Sequence, residues 1–250
     1  MMRHGLAAAL LLVSAKAFGH DFWIEPSSFH PSVGQTVMLA LRVGQDFTGD
    51  PVPRSAQLME SFIARNARGE TAIAGFENRD PAGLLPIQRD GVEVVAYRSK
   101  ANFVELPPAK FAEFLKLEGI DWITANDKPD REHFFRYAKT LIRTGSSARL
   151  PVAHLPGFRY DIVAESNPWS GPLRVRVLFE EKAARAVLVT AIHRDDPNAR
   201  VAARTDAHGR ATLDLPKGGV WLIKSTYMVA APKGSGVDWE SLWASVTFER

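Results

Sequence analysis

Short runs of alternating apolar and polar residues recur along this sequence, and turn residues separate them. Two such runs in the first half are residues 37–43, after the turn at 31–34, and residues 91–97. Residues 61–67 form a weaker run, and further runs lie at 173–179, 187–193, 210–215, 220–228 and 242–248. Because an alternation with a period of two places one face of a strand against a core, the pattern predicts a mainly β protein.

The period of the apolar residues changes between about 108 and 143. Phe111, Phe114 and Leu115 follow a helical spacing, and Gly119 can end that helix. Asp130 is a suitable N-cap for a second helix. The apolar face of that second helix would contain Phe134, Tyr137, Ala138, Leu141 and Ile142. We therefore expect a helical insert at about 108–143 in an otherwise β chain.

A turn-rich segment at 167–172 divides the β runs into two groups. This division predicts two β-sandwich units of immunoglobulin or transthyretin type. The first would cover residues 20–166 and carry the helical insert, and the second would cover residues 167–250. Trp221 and the run at 242–248 are predicted to form part of the core of the second unit.

Residues 1–19 have the features of a secretory signal peptide: a basic start, an apolar run at 6–13, and small residues before a cleavage site. Cleavage after Gly19 would make His20 the first residue of the mature protein. The alternative site, after Ala17, would make Phe18 the first residue. We expect the first of these cuts, and hence a periplasmic protein.

Composition excludes several classes of function. The chain has 31 Lys and Arg against 28 Asp and Glu, and the predicted signal peptide contains Arg3 and Lys16 but no acid. The mature chain is therefore close to neutral and carries no basic stripe, so we expect no nucleic-acid partner. No other segment approaches the roughly 20 apolar residues of a membrane span, so we expect none in the mature chain.

The chain contains no cysteine, which removes disulfides, thiolate metal sites and cysteine nucleophiles. It also lacks a Gly-rich phosphate loop, a G-x-S-x-G elbow and an H-E-x-x-H helix. The sequence therefore predicts a protein that is not an enzyme.

His20 is the best candidate for a metal ligand. A histidine at a free N-terminus offers its α-amine and a ring nitrogen to one ion, and imidazole suits copper, nickel and zinc. Asp21 and Glu25 could add oxygen ligands. The alternative is that His20 is an ordinary polar residue at a frayed terminus. The other histidines form no group by spacing, and His133 is expected to be exposed on the second helix.

Five segments resemble the domain-of-unknown-function 4198 family. They are HDFWIEP at 20–26, RYAKTL at 136–141, TDAHGR at 205–210, GVWLI at 219–223 and DWESLWASVTFE at 238–249. The resemblance implies an exported, β-rich protein associated with nickel or cobalt uptake, with His20 matching a ligand at the mature N-terminus. Many members have a histidine before the methionine at the position of Tyr227. If that histidine is a ligand, the site here is altered, since a phenol ionises only near pH 10.

The sequence is consistent with two main functions, which belong to different classes. The first is a periplasmic accessory that binds a divalent transition metal of nickel or cobalt type and contacts a membrane transporter subunit. The second is a non-catalytic β-sandwich interaction module that binds a protein or a carbohydrate, in which His20 is incidental. An N-terminal-histidine copper enzyme is a third possibility, and it would need a second histidine beside the first.

Overall fold

The computed structural model describes residues 20–146 and 154–250. Its strands are β1 (Asp21–Pro26), β2 (Thr36–Gln45), β3 (Thr48–Val52), β4 (Met59–Asn66), β5 (Gly69–Ala72), β6 (Gly83–Pro86), β7 (Gly91–Ser99), β8 (Asn102–Leu106), β9 (Asp130–Thr144), β10 (Tyr160–Ala164), β11 (Leu173–Phe179), β12 (Lys182–Ala183), β13 (Leu188–His193), β14 (Asp196–Arg204), β15 (Arg210–Leu213), β16 (Val220–Ala230) and β17 (Trp239–Glu249). The described part of the chain has one helix, α1 (Pro108–Leu117). The predicted mainly β fold is therefore confirmed.

A nine-stranded sheet forms the centre of the described structure. Its strand order is β14-β13-β16-β17-β9-β7-β4-β5, and β8 pairs with the first residues of β9. β17 and β9 run parallel, whereas the other pairs in this sheet are antiparallel. Strands from both sides of the predicted boundary at 166/167 hydrogen bond in this sheet. The division into two units stays a prediction.

Two four-stranded sheets cover opposite faces of the central sheet. One contains β1, β2, β3 and β6, and the other contains β10, β11, β12 and β15. Alternate residues of β7 show the layering. Val94 and Ala96 pack in the core shared with β10, β11 and β15, whereas Val95 and Tyr97 pack in the core shared with β1 and β2. Both faces of the central sheet are therefore buried where β7 and β9 run.

The predicted helical insert is correct at 108–117 and wrong at 130–143. α1 has a proline at its first turn and is followed by Gly119 at a φ of +65°. Residues 130–144 form β9. Tyr137 and Leu141 enter one core while Ala138 and Ile142 enter the other. A strand that is buried on both faces has apolar neighbours at this spacing too, so the sequence pattern resembles that of a helix.

Helix α1 covers the same face of the central sheet as β1. Phe111 stacks on Trp239 with ring centroids 6.2 Å apart, and Phe114 stacks on Trp243 at 5.3 Å. No helix in the described part of the chain is long and apolar enough to span a membrane. The prediction that Trp221 lies in a core is confirmed, because this side chain is fully buried with the apolar residues of β17.

Candidate functional site

Strand β1 positions His20 and Asp21 above the central sheet. β1 pairs along its length with β2, and it also rests on β17 through side chains. Ser245 donates a hydrogen bond from Oγ to the Phe22 carbonyl at 2.6 Å, and Thr247 donates from Oγ1 to the Ile24 carbonyl at 2.8 Å. These two bonds hold β1 on β17.

Asp21 belongs to a buried network of charges. Lys224 donates from Nζ to Asp21 Oδ1 at 2.5 Å and to Glu118 Oε1 at 2.8 Å. Thr226 donates from Oγ1 to Glu118 Oε2 at 2.8 Å. Burial raises the pKa of Asp21 to about 6, although the Lys224 ammonium opposes the shift. Burial acts against the charge of Lys224, yet Asp21 and Glu118 hold its pKa above the ordinary value.

The His20 ring is half-buried, and its Nδ1 atom has no hydrogen-bond partner among the described residues. Burial and, to a smaller degree, the Arg136 charge lower the pKa of this imidazole, while Asp50 acts in the opposite direction. The ring is therefore neutral near pH 7. Nδ1 is also the nitrogen that closes a six-membered chelate ring with the α-amine of an N-terminal histidine. The donor set thus fits a late transition metal.

Glu25 lies away from His20. Its carboxylate pairs with Arg42, which donates from Nε at 2.8 Å and bonds Asp80 through a second nitrogen at 2.9 Å. Four residues along a strand separate Glu25 from Asp21 by about 13 Å. The structure therefore does not bring the three predicted ligands together.

Different charged neighbours act on the pKa values of Asp21 and His20. The charges that act on Asp21 are those of Lys224, Glu118 and Asp46, whereas Arg136 and Asp50 act on His20. The two side chains therefore diverge from the start of β1. No group of three or more His, Cys, Asp or Glu side chains suited to a metal occurs in residues 20–146 and 154–250. The candidate site therefore depends on His20 alone, whose ring nitrogen would be joined by an α-amine only in a chain cleaved after Gly19.

Arg136, on β9, is the residue near His20 whose role sequence reasoning missed. Its guanidinium carbon lies 5.0 Å from the centre of the Phe22 ring and 5.1 Å from that of Phe134. Its backbone N–H donates to Ser99 Oγ at 2.9 Å. Burial lowers the pKa of Arg136 to about 10. The one sequence signal was its place in the segment at 136–141, which does not show what the side chain faces.

Tyr227 does not face His20. Its ring stacks on Tyr160 at 5.5 Å between centroids and contacts Phe179 at 4.8 Å. Those residues belong to the sheet that covers the opposite face of the central sheet, while Thr226 and Lys224 face β1 and α1. The Tyr227 ring therefore packs on the face of the central sheet opposite β1.

A second buried network lies on that opposite face. Lys139 donates from Nζ to Asp161 and to the Ile162 carbonyl, and His154 Nδ1 lies 3.0 Å from Asp161 Oδ2. Burial would raise the pKa of Asp161, but the Lys139 charge and the bond to His154 hold it below its ordinary value. His154 thus shares Asp161 with Lys139, in a network that links β10 to β9. No residue spacing indicated this network.

Two comparisons with known proteins bear on identity. No curated protein matches the chain. A family's sequence model matches residues 17–229, which is most of the chain and includes β1, β9 and all of β16 but its last residue. The chain therefore belongs to the family described as a domain of unknown function (DUF4198).

Proposed function

We propose that this protein is a periplasmic, non-catalytic accessory that binds a divalent transition metal of nickel or cobalt type for uptake. The observation that supports this most directly is the environment of the His20 ring. Its Nδ1 is buried without a hydrogen-bond partner in the described chain, and its ring is neutral near pH 7. A buried polar atom without a protein partner is uncommon in native proteins, and water, an ion or a ligand usually completes its bonding.

The proposal needs a free amine at His20, and hence signal cleavage after Gly19. The amine and Nδ1 would then bind the ion as a chelate on one rigid residue, because β1 is anchored to both β2 and β17. A pre-positioned chelate loses little conformational freedom on binding, which favours affinity. The metal would pass to a membrane transporter subunit as partner.

Asp21 and Glu25 have smaller roles in this proposal. Asp21, held by Lys224 and oriented away from the ring, contributes negative potential near the ion. Glu25 remains paired with Arg42. The coordination positions that His20 leaves open are then filled by water or by an added anion.

Titration calorimetry with Ni²⁺ and Cu²⁺, on protein whose first residue is verified as His20, tests the proposal. We expect Cu²⁺ to bind more tightly than Ni²⁺, following the usual order of divalent ions. His20→Ala should lose most of the affinity for both metals, and His133→Ala, on β9, should change it little. One extra residue before His20 should weaken binding while keeping the imidazole. An exported protein that begins at Phe18, or a His20→Ala variant that binds as tightly as the parent, would refute the proposal.

The alternative is the interaction module that binds a protein or carbohydrate partner. Its support is a set of exposed apolar side chains, of which Phe76 is 74% exposed and Phe103 is 58% exposed. Within that alternative, each four-stranded sheet and the face it covers would form a sandwich of immunoglobulin or transthyretin type. Full metal affinity in the His20→Ala variant would favour this function.

A further inference from the structure

Lys139 and Asp161 form a buried contact between two sheets. Lys139 lies on β9 of the central sheet and Asp161 on β10 of a covering sheet, and their side chains are only 7% and 1% exposed. Lys139 Nζ donates to Asp161 Oδ1 and, at 2.7 Å, to the Ile162 carbonyl. A nitrogen that hydrogen bonds to a carboxyl oxygen lies near the carbon of that group, at roughly the 3–3.5 Å from which two atoms can react.

The second oxygen of Asp161 is held by two donors. His154 Nδ1 lies 3.0 Å from Oδ2, and the Leu155 backbone N–H donates to the same atom at 3.3 Å. Because a carboxylate oxygen only accepts, His154 carries a proton on Nδ1 in this contact. Such donors stabilise the negative charge that a carboxyl oxygen gains when a nucleophile attacks its carbon. Asp161 therefore has an amine beside Oδ1 and the donors of an oxyanion hole beside Oδ2.

An amide between Lys139 and Asp161 would keep the hydrogen bonds of this site. Its N–H would donate to the Ile162 carbonyl, and its oxygen, the present Oδ2, would accept from His154 and Leu155. The ion pair is satisfied less well, since an ammonium has three N–H groups and only two acceptors among the described residues take a bond from Lys139. A neutral amide also removes two charges that are costly to bury.

We propose that the Lys139 and Asp161 side chains join in an intramolecular isopeptide bond. The reaction starts from the ion pair. Nζ passes one proton to Oδ1, and the neutral amine attacks Cγ while His154 and Leu155 hold the charge on Oδ2. A second proton from Nζ reaches Oδ1, the Cγ–Oδ1 bond breaks, and one water leaves. The ammonium supplies both hydrogens of that water and the carboxylate supplies its oxygen, so no other reactant is needed.

The bond would fix the two sheets together in a chain that has no cysteine for a disulfide. It would join positions separated by 22 residues, and a link of this kind stabilises a protein mainly by restricting the unfolded chain. This role is independent of the proposed metal function, because the site lies on the face of the central sheet opposite β1.

Lys224 provides a comparison within the same protein. It is also buried and donates to two carboxylates, those of Asp21 and Glu118. These charges hold the pKa of Lys224 above its ordinary value, so its nitrogen keeps the proton that blocks attack. Oδ2 of Asp21 has no hydrogen-bond partner among the described residues, and so lacks the donors that Asp161 has. We expect Lys224 to stay free, and the protein to lose one water rather than two.

Mass spectrometry of the denatured protein, after sequencing of its N-terminus, tests the bond. The parent should weigh about 18 Da less than its sequence requires, which is the mass of one water. Trypsin does not cleave after an acylated lysine, so the digest should contain residues 137–143 joined to residues 160–174, with normal cleavage after Lys224. Lys139→Arg and Asp161→Ala should both have the full mass. These masses are read on denatured chains, so the result does not require the variants to fold.

The rate of bond formation tests the role of His154. We expect His154→Ala, which removes one donor from Oδ2, to form the bond at least about tenfold more slowly after cell-free synthesis. His208→Ala is the matched control, because His208 lies at an exposed turn, and it should react as fast as the parent. Circular dichroism shows whether each variant is folded, and an equal rate in folded His154→Ala would overturn the role of that ring.

Two results for the parent would overturn the bond itself. The first is the full mass after the folded protein has been incubated at pH 7. The second is a loss of water that maps to another position, such as a cyclised aspartate, with normal cleavage after Lys139. Metal titrations of the same samples decide the proposed function separately, since neither result depends on His20.

Discussion

Glu132, on β9, offers a quantitative test of the electrostatics of the buried face. It is 4% exposed, and its Oε2 has no hydrogen-bond partner among the described residues. Burial raises its pKa from 4.5 to about 7; the Ser241 hydroxyl opposes this shift, and the nearby charge of Asp130 adds to it. The folded protein therefore keeps a proton on Glu132 in a pH range where the unfolded chain has lost it.

The sign of the effect on stability follows from this difference. A carboxyl group whose pKa is raised by folding stabilises the native state fully below the unfolded pKa, and this contribution is lost as pH rises through the folded pKa. The shift from 4.5 to about 7 corresponds to about 3 kcal/mol, at about 1.4 kcal/mol for each pKa unit. The parent protein should lose this amount between pH 4.5 and about 7.5.

Glu132→Gln removes the titration while keeping the shape of the side chain. We expect the free energy of unfolding in urea, followed by tryptophan fluorescence, to match the parent at pH 4.5. At pH 8 it should exceed the parent by about 3 kcal/mol. Asp21, whose pKa is raised to about 6, titrates in the same range, but it does so in both proteins and cancels in the difference.

Glu181→Gln, at an exposed turn, controls for the loss of one negative charge. The free energy of unfolding of this variant should differ little from that of the parent across the range. Parallel stability curves for Glu132→Gln and the parent from pH 4.5 to 8 would show that folding does not perturb Glu132, and the argument from burial would be wrong.

Two further predictions concern packing, and urea unfolding measures both. Trp221→Ala should cost about 3–5 kcal/mol because it empties a fully buried site, whereas Phe103→Ala, at a side chain 58% exposed, should cost less than about 1 kcal/mol; equal costs would contradict the burial of Trp221. Gly49→Ala should destabilise by about 1–3 kcal/mol, because an added Cβ would lie 2.5 Å from the Val43 carbonyl oxygen. In the control Gly218→Ala the nearest atom to the added Cβ would be the Arg250 carbonyl oxygen at 3.6 Å, so the free energy of unfolding should change by less than about 0.5 kcal/mol. If Gly49→Ala is tolerated, β2 and β3 can separate enough to admit a methyl group.

Eight of the seventeen described strands could be predicted from the sequence, because their apolar runs alternate with polar residues or are bounded by turn residues. The runs at 37–43, 91–97 and 220–228 lie within β2, β7 and β16. β9 could not be recognised in this way, since it is covered on both faces and its apolar residues lose the period of two. Local spacing cannot show that two other sheets cover a strand, so the error at 130–143 arose from tertiary structure.

The candidate site, too, could be predicted from the sequence only in part. The choice of His20 as candidate ligand follows from a local feature, the small residues before it that favour cleavage after Gly19. The partners of the site do not, because Lys224 is 203 residues from Asp21 and 106 from Glu118. Arg136 contacts the Phe22 ring only because β1 packs on β9, a contact between distant segments that no spacing rule predicts.

The place of β17 within the central sheet has a consequence for how the protein is made. β17 pairs with β16 on one side and β9 on the other, and so joins the two halves of the sheet. As the chain emerges from the ribosome, β9 and β16 are left with unpaired edges until residues 239–249 follow them. Stable folding must wait for this late segment, since so many contacts are distant in sequence. The complete central sheet can therefore form only after the last strand of the chain has been synthesised.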